Sequence, residues 1–540
     1  MMLTFPHSNS ANIKVRSALL PQFVVTAEQM SQIEGRVFEA GMPVAALMEK
    51  VAGLLTQKIR ALYPLSRVGR VGILVGPGHN GGDALVVGRE LHFSGYEVKI
   101  YQPLSKAKAL TTNHAQYAAS LGIPFVEQID ALADCDLLID GLFGFGLTRP
   151  LEGEMAAMVD RLNQRSTPVV SIDLPSGLHT DTGAALGTAI CATHTLCLGL
   201  WKKAFLQEQA LQYLGRSELI DFGLPLADIT AVLGKTPNLQ RITSDLAFQA
   251  LPLSRLPSTH KYKQGHLLLI CGSRAYMGAA VLAGLSARSS GVGMLSIAVP
   301  ESLRLLLIGQ LPDALVMGCP EDETGAIAQL PEEMDFSKYT VIAAGCGLTQ
   351  GASAVIEQIL ETDRPLLLDA DGLNILAKLG TIPTLQKRQA PTVLTPHQGE
   401  FKRLFPDLAE PETDRITMAQ KAAAQSGAIV LLKGARTIIA SPEGKAWLNP
   451  ESTPALARGG SGDVLTGLMG GLLAQGMMGE TNPESIVLGA AWWHSQAAIL
   501  AAKERSELGV DASTLINYLI PGLQQLKALC LHDESEMGDG

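Results

Sequence analysis

The segment ARGGSGDVLTG, residues 457–467, combines a glycine-rich turn with one carboxylate, Asp463. Uncharged and largely apolar residues follow, which predicts a helix that begins at this turn. The N–H groups of Gly460, Ser461 and Gly462 then lie at the helix start, where free amides and the helix dipole attract anions. Two interpretations stay open: Asp463 only caps the helix, or it accepts the proton of a hydroxyl that attacks a bound phosphate.

Three further loops rich in polar residues occur in the first half of the chain: GPGHNGGD at 76–83, DGLFGFGLTRP at 140–150 and DLPSG at 173–177. Each follows a predicted strand, and the carboxyl ends of parallel strands meet at one edge of a sheet. Their oxygen-rich, thiol-free groups suit a hard cation and not zinc. The alternative is that Asp and Asn merely stabilise these turns.

The first loop also fits G-x-G-x-x-G, a pattern found in dinucleotide-binding folds. The strand after it ends in Tyr101 and Gln102, without the acidic residue that holds a nicotinamide ribose. We therefore reject a dehydrogenase.

Strand-like and helix-like segments alternate along the chain, which predicts parallel sheets covered by helices on both faces. A capping box at Thr26 and Gln29 predicts the first helix, and a second helix follows the Gly41–Pro43 break. A proline-rich stretch at 222–262 separates two α/β series. We predict domains at 1–237 and 238–540, each a three-layer αβα unit.

Composition restricts the partners of the 540-residue chain. The net charge is −10 with no long basic run, so nucleic acid and anionic membranes are not expected partners. The seven cysteines are scattered without a CxxC pair, which favours a reducing cytoplasm. Residues 183–201 and 485–502 lack acidic and basic residues but contain polar ones, which favours buried elements over membrane spans.

The segments VGPGHNGGDALVVGREL, LLIDGLFGFGLTRP and SIDLPSG resemble the NAD(P)H-hydrate epimerase domain over about residues 24 to 225. The resemblance implies a K⁺ ion at Asn80, Asp140 and Ser176, and we predict that Asp173 is the acid/base group. It also implies substrate contacts at His79, Asn80, Gly81, Gly82, Asp83, Gly144, Phe145, Gly146, Leu147, Thr148, Arg149, Pro150 and Asp173. The family loop NNGGDG reads HNGGDA here, which leaves open a ligand-binding or dimerisation module without activity.

The segments GSRAYMGAA, AAGCGLT, LLLDADGLN, TPHQGEF, LLKGART and GGSGDVLTG resemble the ADP-dependent NAD(P)H-hydrate dehydratases, which are ribokinase-like, over about residues 245 to 525. The resemblance implies substrate contacts at Ala279, Gly347, His397 and Asp463, and Mg²⁺ bound to Glu400 through water. It implies ADP contacts at Lys433, Gly434, Ala435, Arg436, Thr437, Gly460, Ser461 and Gly462. Asp369 and Asp371 are left out of the catalytic set, and Asp371 is interpreted as a structural turn.

Together the resemblances imply two Rossmann-like or ribokinase-like domains in tandem that repair hydrated NADH and NADPH. One domain would interconvert the R and S hydrates, and the other would dehydrate the S form with ADP. The expected partners are small molecules and further copies of the chain. A rival is a ribokinase-type kinase of a vitamin precursor alcohol, which shares the glycine-aspartate turn, but TPHQGE and KGART favour the dehydratase.

Overall fold

The computed structural model describes residues 15–409, 414–479 and 481–536. The chain divides into two compact units, residues 1–237 and 238–540, and each is described by itself.

The N-terminal unit is built on a seven-stranded parallel sheet with the order β4-β3-β2-β5-β6-β7-β9. Its strands are β2 Arg70–Val75, β3 Glu97–Tyr101, β4 Phe125–Val126, β5 Leu137–Gly141, β6 Val169–Ile172, β7 His194–Leu198 and β9 Arg216–Ile220. Two short strands, β1 Val24–Val25 and β8 Trp201–Lys202, pair outside this sheet. Parallel strands are joined by crossover connections that run over a face of the sheet. In this unit the connections contain helices, which therefore cover the faces of the sheet.

The α-helices of this unit are Ala27–Glu39, Val44–Leu62, His79–Phe93, Ala109–Ser120, Gly153–Asn163, Leu211–Leu214 and Leu226–Leu233. The predicted capping box is confirmed: the Thr26 hydroxyl accepts from Gln29 N at 3.2 Å, and the Gln29 side chain accepts from Thr26 N at 3.0 Å. Strand residues alternate between two buried clusters, with Ile73 in one and Leu74 in the other. Both faces are therefore buried, as the uninterrupted apolar strands predict.

The C-terminal unit contains a ten-stranded sheet with the order β10-β19-β18-β17-β16-β15-β14-β11-β12-β13. Only β18 runs antiparallel to its neighbours. The strands are β10 Leu239–Arg241, β11 His266–Ile270, β12 Met294–Pro300, β13 Leu315–Cys319, β14 Val341–Ala344, β15 Leu366–Leu368, β16 Thr392–Leu394, β17 Ile429–Leu432, β18 Thr437–Ala440 and β19 Ala446–Asn449. The α/β class predicted from the sequence is confirmed in both units.

The α-helices of the C-terminal unit are Ser244–Gln249, Met277–Ser289, Arg304–Gln310, Ser353–Leu360, Ala370–Leu379, Thr381–Leu385, Gln398–Leu404, Arg415–Ser426, Ser461–Gly476, Pro483–Arg505 and Ala512–Glu536. Val464, Leu468 and Leu472 of the helix after the glycine-rich turn are fully buried. This burial fixes the turn at the carboxyl edge of the sheet. Within the described ranges, no helix combines the length and the apolar character needed to cross a membrane.

Candidate active sites

The N-terminal unit has a cavity of about 450 Å³ beyond the carboxyl ends of β2, β5 and β6. All three predicted loops contribute to its wall: the first through His79, Asn80 and Asp83, the second through residues 144–149, and the third through Asp173. The parallel topology therefore brings together side chains that lie almost 100 residues apart in the sequence.

Several predicted contact residues do not line this cavity. A Cβ atom at Gly81 would lie 2.0 Å from the Gly76 carbonyl oxygen, and one at Gly82 would lie 2.7 Å from the Met48 side chain. These glycines permit the close packing that holds the start of the helix His79–Phe93. Pro150 is exposed, at the outer end of its loop.

Asp173 is held by a buried lysine that the sequence analysis did not select. Lys202 Nζ lies 2.5 Å from Asp173 Oδ1 and 2.5 Å from the Leu198 carbonyl oxygen. Asp173 Oδ2 accepts from Phe145 N at 3.1 Å. Burial opposes the charge of Lys202, but the interactions with Asp173, Cys197 and Glu34 together outweigh burial, and the pKa of Lys202 is raised. The pair keeps a carboxylate at the cavity wall.

The backbone at Asp173 is also unusual, because its φ angle is +68°. Non-glycine residues in this left-handed region are uncommon, and such strain persists where the surroundings enforce it. Here the enforcing contacts are those to Phe145 and Lys202.

Two other carboxyl groups line the same cavity. Burial raises the pKa of Glu34 to about 7, with Lys202 opposing the shift and Asp173 adding to it. Burial raises the pKa of Asp83 well above its ordinary value, helped by Asp173 and Glu34. Glu34 lies on the helix Ala27–Glu39, far from the motif loops, and no sequence motif marks it.

Two of the predicted K⁺ ligands, Asp140 and Ser176, share one buried hydrogen-bond network. Asp140 accepts from the Ser176 hydroxyl at 2.6 Å, Ser176 N at 2.9 Å and the Ser171 hydroxyl at 2.8 Å. Asn80 Nδ2 is buried without a hydrogen-bond partner. Rotating that amide would present its oxygen instead, since the two ends are assigned from their partners. These residues therefore fit a hard monovalent cation.

Both departures from the family loop are accommodated by their surroundings. Ala84 is fully buried, and its Cβ occupies the space that a Cβ on Gly141 would need, 2.3 Å away. Ala84 therefore fills the core without entering the cavity. His79 lines the cavity with Nε2 at 3.5 Å from Lys108 Nζ. Burial, with Lys108, lowers the pKa of His79, which favours its neutral form.

The C-terminal unit has a cavity of about 420 Å³ at the start of the helix Ser461–Gly476. Three predicted contact residues line it together: Asp463, Ala279 and Gly347. Burial raises the pKa of Asp463, opposed by a hydrogen bond from Cys346. A carboxylate of raised pKa beside a helix start can accept a proton from a bound hydroxyl.

Asp371 lines the same cavity, which the interpretation as a structural turn did not anticipate. It lies in the first turn of the helix Ala370–Leu379, and its Oδ2 accepts from Thr349 N at 2.9 Å. The carboxylate therefore both orders a loop and faces the cavity.

Lys433 and the buried Asp369 form a partly buried ion pair beside the glycine-rich turn. Lys433 Nζ lies 2.7 Å from Asp369 Oδ1, and the Thr466 hydroxyl donates to Asp369 Oδ2 at 2.8 Å. A Cβ at Gly462 would lie 3.7 Å from Lys433 Nζ, so the ammonium and the helix start adjoin. An amide-rich helix start next to a lysine ammonium is suited to phosphate.

The backbone geometry of the glycine-rich turn and its neighbouring residues stabilise the turn. Gly460 has a φ angle of +92°, which only glycine adopts without strain. The Ser461 N–H donates to the Arg458 carbonyl at 3.4 Å and is less free than predicted. His494 Nε2 lies 3.0 Å from the Ser461 carbonyl oxygen, and burial lowers the pKa of His494 to about 4, so the imidazole is neutral.

In the rest of the predicted ADP loop, residues 433–436 form the turn between β17 and β18, and Thr437 is the first residue of β18. The Arg436 guanidinium donates to the Pro450 carbonyl oxygen, and the Thr437 hydroxyl donates to the Gly434 carbonyl oxygen at 3.1 Å. Gly434 and Ala435 are exposed at its tip.

His397 and Glu400 cap the helix Gln398–Leu404. His397 Nδ1 accepts from Gly399 N at 2.9 Å, and Glu400 Oε2 accepts from His397 N at 2.8 Å. Glu400 also lies 3.8 Å from Lys433 Nζ. Carboxylates such as Glu400 and Asp369 are ligands of the type that Mg²⁺ prefers. Across the described residues, no set of three His, Cys, Asp or Glu side chains is arranged to bind a metal directly.

Each unit therefore has a cavity beyond the carboxyl ends of its strands that is lined by carboxylates. The C-terminal cavity adjoins a helix start suited to phosphate. These features define a two-domain α/β enzyme. The family described as YjeF-related protein N-terminus matches residues 44–204, and that described as NAD(P)H-hydrate dehydratase matches residues 267–521.

Relatives extend this match over more than nine-tenths of the chain. A bifunctional NAD(P)H-hydrate repair enzyme from Synechocystis sp. is 55% identical over 507 residues, which cover 93% of this chain and 95% of the relative. One from Thermosynechococcus vestitus is 52% identical, covering 94% of this chain and 98% of the relative. A Bacillus subtilis ADP/ATP-dependent NAD(P)H-hydrate dehydratase, co-crystallised with ATP and Mg²⁺, is 36% identical with a TM-score of 0.46, covering 53% of this chain and 97% of that one. The chain belongs to the family of bifunctional NAD(P)H-hydrate repair enzymes.

Proposed function

We propose that the protein restores hydrated NADH and NADPH in two reactions on its two sites. Hydration places a hydroxyl on carbon six of the nicotinamide ring, in R or S configuration. The N-terminal site interconverts the two epimers. The C-terminal site dehydrates the S epimer at the expense of ADP, releasing AMP and phosphate.

In the N-terminal site, Asp173 is the proposed acid/base group, supported by its contact with Lys202. Substrate contacts are proposed for the wall residues of the cavity, including His79, Asn80 and 144–149. A K⁺ ion at Asn80, Asp140 and Ser176 would fix the loops around the ring by neutralising the buried Asp140 carboxylate.

In the C-terminal site, Asp463 accepts the proton of the substrate hydroxyl as its oxygen attacks the β-phosphorus of ADP and AMP leaves. The helix-start amides and Lys433 stabilise the phosphate charge. Loss of phosphate from carbon six and of a proton from carbon five then restores the dihydropyridine. A bound Mg²⁺ would neutralise further phosphate charge, with Glu400 proposed to contact it through water.

The adjacency of Gly462 and Lys433, with Asp463 facing a cavity, best supports this assignment. In the direct test, hydrated NADH is incubated with the protein and with ADP, with ATP or with no nucleotide. The reduced-nicotinamide absorbance is then followed. We expect the absorbance to return with ADP and not without nucleotide. A phosphorylated alcohol that persists, without recovery of absorbance, would favour the rival vitamin-type kinase and exclude the dehydratase.

Lys433→Met is expected to raise the KM for ADP by about 10- to 100-fold, since a charge-assisted phosphate contact contributes about 1.5–3 kcal/mol. Lys402→Met, at an exposed position of the same unit, is the matched control and should leave the KM unchanged. Steady-state ADP titrations measure both variants. An unchanged ADP KM in Lys433→Met would remove this residue from the nucleotide site.

An assembly of identical chains and a cytoplasmic location remain predictions of the sequence. Analytical ultracentrifugation of the full chain tests the assembly.

A further inference from the structure

Glu34 faces the N-terminal cavity from a wall that the motif loops do not supply. Its neighbours on the helix Ala27–Glu39, Met30 and Ile33, are fully buried in the core, whereas Glu34 and Phe38 line the cavity. The cavity wall therefore holds Asp173 on the loop after β6 and Glu34 on a separate helix. Two carboxyl groups on separate elements can reach a ring held between them from different sides.

The two carboxyl groups differ in their surroundings. Asp173 receives the Lys202 ammonium, Phe145 N and Leu198 N. Over residues 15–409, 414–479 and 481–536, the Glu34 side chain forms no hydrogen bond or ion pair. Such a pair, one carboxyl group bound to an ammonium group and one without a hydrogen-bond partner, can divide the roles of base and acid.

Epimerisation at carbon six needs proton transfer on both faces of the ring. If the hydroxyl leaves from one face and water adds to the other, a donor must protonate the leaving oxygen and an acceptor must deprotonate the entering one. A single side chain on one face does not reach both oxygens.

We propose that Glu34 is a second catalytic acid/base group of this site, paired with Asp173; the inference rests on the proposed epimerase activity. Glu34 donates a proton to the hydroxyl, the C–O bond breaks, and water leaves as the ring-nitrogen electron pair forms a C=N bond. A second water adds its oxygen to carbon six from the other face, its proton passes to Asp173, and the electron pair returns to nitrogen. Before the next turnover in the same direction, Asp173 releases its proton to solvent water and Glu34 takes one up. The opposite direction reverses every step and returns the proton to Glu34.

The charges around Glu34 set the pH range in which it can act. The groups that face it are Asp83, Lys108, Asp173 and Lys202, and His79 and Arg149 line the same cavity. Burial raises the pKa of Glu34 to about 7, and the two lysines oppose that shift. Because the forward step needs protonated Glu34, epimerisation should decline as pH rises through about 7.

The test uses the full chain with Glu34→Gln, purified R and S hydrates and no ADP, with epimer exchange followed by chromatography. We expect kcat to fall by about 100-fold or more, the usual size of an acid/base contribution. KM should stay within about threefold, because binding is retained. The decline above neutral pH should disappear, and ADP-dependent dehydration of the S epimer, measured separately, should continue.

Glu39→Gln, at the exposed end of the same helix, is the matched control and should exchange epimers at the unaltered rate. Glu34→Asp keeps the carboxyl group and should retain an intermediate rate with the pH decline present, which separates proton transfer from damage to the helix. Exchange by Glu34→Gln within about threefold of the unaltered protein at every pH would overturn the inference. If the unaltered chain itself does not exceed the enzyme-free exchange rate, the proposed epimerase function fails and this inference with it.

Discussion

Asp463→Asn is expected to lower ADP-dependent dehydration of the S hydrate by about 10²- to 10⁴-fold, the range for a lost general base. Asparagine matches aspartate in size but does not accept the proton of an attacking hydroxyl. The side chain lies in the first helical turn, so loss of its charge costs the helix only about 0.3–1 kcal/mol. The enzyme should therefore fold, bind ADP and still exchange epimers at the other site.

The pH dependence of the unaltered protein gives a second measurement of the same group. Because burial raises the pKa of Asp463, the fall in dehydration at low pH should begin above the ordinary range for aspartate. A base must be ionised to act, so activity is present above this pKa and lost as pH falls through it. Asp463→Asn should remove that dependence along with the rate.

The variant Asp371→Asn tests whether the two carboxylates of the C-terminal cavity have different roles. Asp371 already accepts from Thr349 N, so its replacement should disturb the loop and lower the rate less than Asp463→Asn does. Single-turnover measurements of phosphate release compare the variants. If Asp463→Asn turned over at a near-normal rate, Asp463 would be a helix cap and not the general base.

The strands and loops that carry local signals could be predicted from the sequence. Buried parallel strands such as β2, β11 and β14 appear as continuous apolar runs that end in glycine-rich loops, so their existence follows from the sequence. The GGSGD turn predicts a helix start because glycine frees the backbone just before an apolar run. The convergence of the loops then follows from parallel topology alone.

Residues whose role depends on distant partners could not be predicted in the same way. Lys202 follows an uncharged stretch, which predicts burial nearby, but its ion pair with Asp173 joins β8 to the loop after β6. Glu34 occupies an ordinary position in an amphipathic helix, and only the folded structure shows that it lines a cavity. The strand β4 contains only Phe125 and Val126, which is too short to show a period.

Asp173→Asn is expected to stop R-to-S conversion while dehydration of the S hydrate continues. Asparagine tolerates the left-handed φ angle of +68° at this position, so the backbone should be retained. The amide neither accepts nor donates the proton as a carboxyl group does, and we expect a loss of about 10²- to 10⁴-fold in exchange rate. Supplying the R hydrate alone, with ADP, would then leave the reduced-nicotinamide absorbance near the enzyme-free rate.

A second variant is needed to distinguish a loss of catalysis from a loss of folding stability. Asp173→Asn also leaves the fully buried Lys202 ammonium without its carboxylate. Breaking such a pair costs about 3–5 kcal/mol, whereas replacing both members by neutral groups costs far less. Asp173→Asn combined with Lys202→Met should therefore recover most of the free energy of unfolding in urea but none of the epimer exchange. If exchange returned together with stability in the double variant, Asp173 would be a structural counter-ion for Lys202, and the proton would have to pass through another group of the cavity.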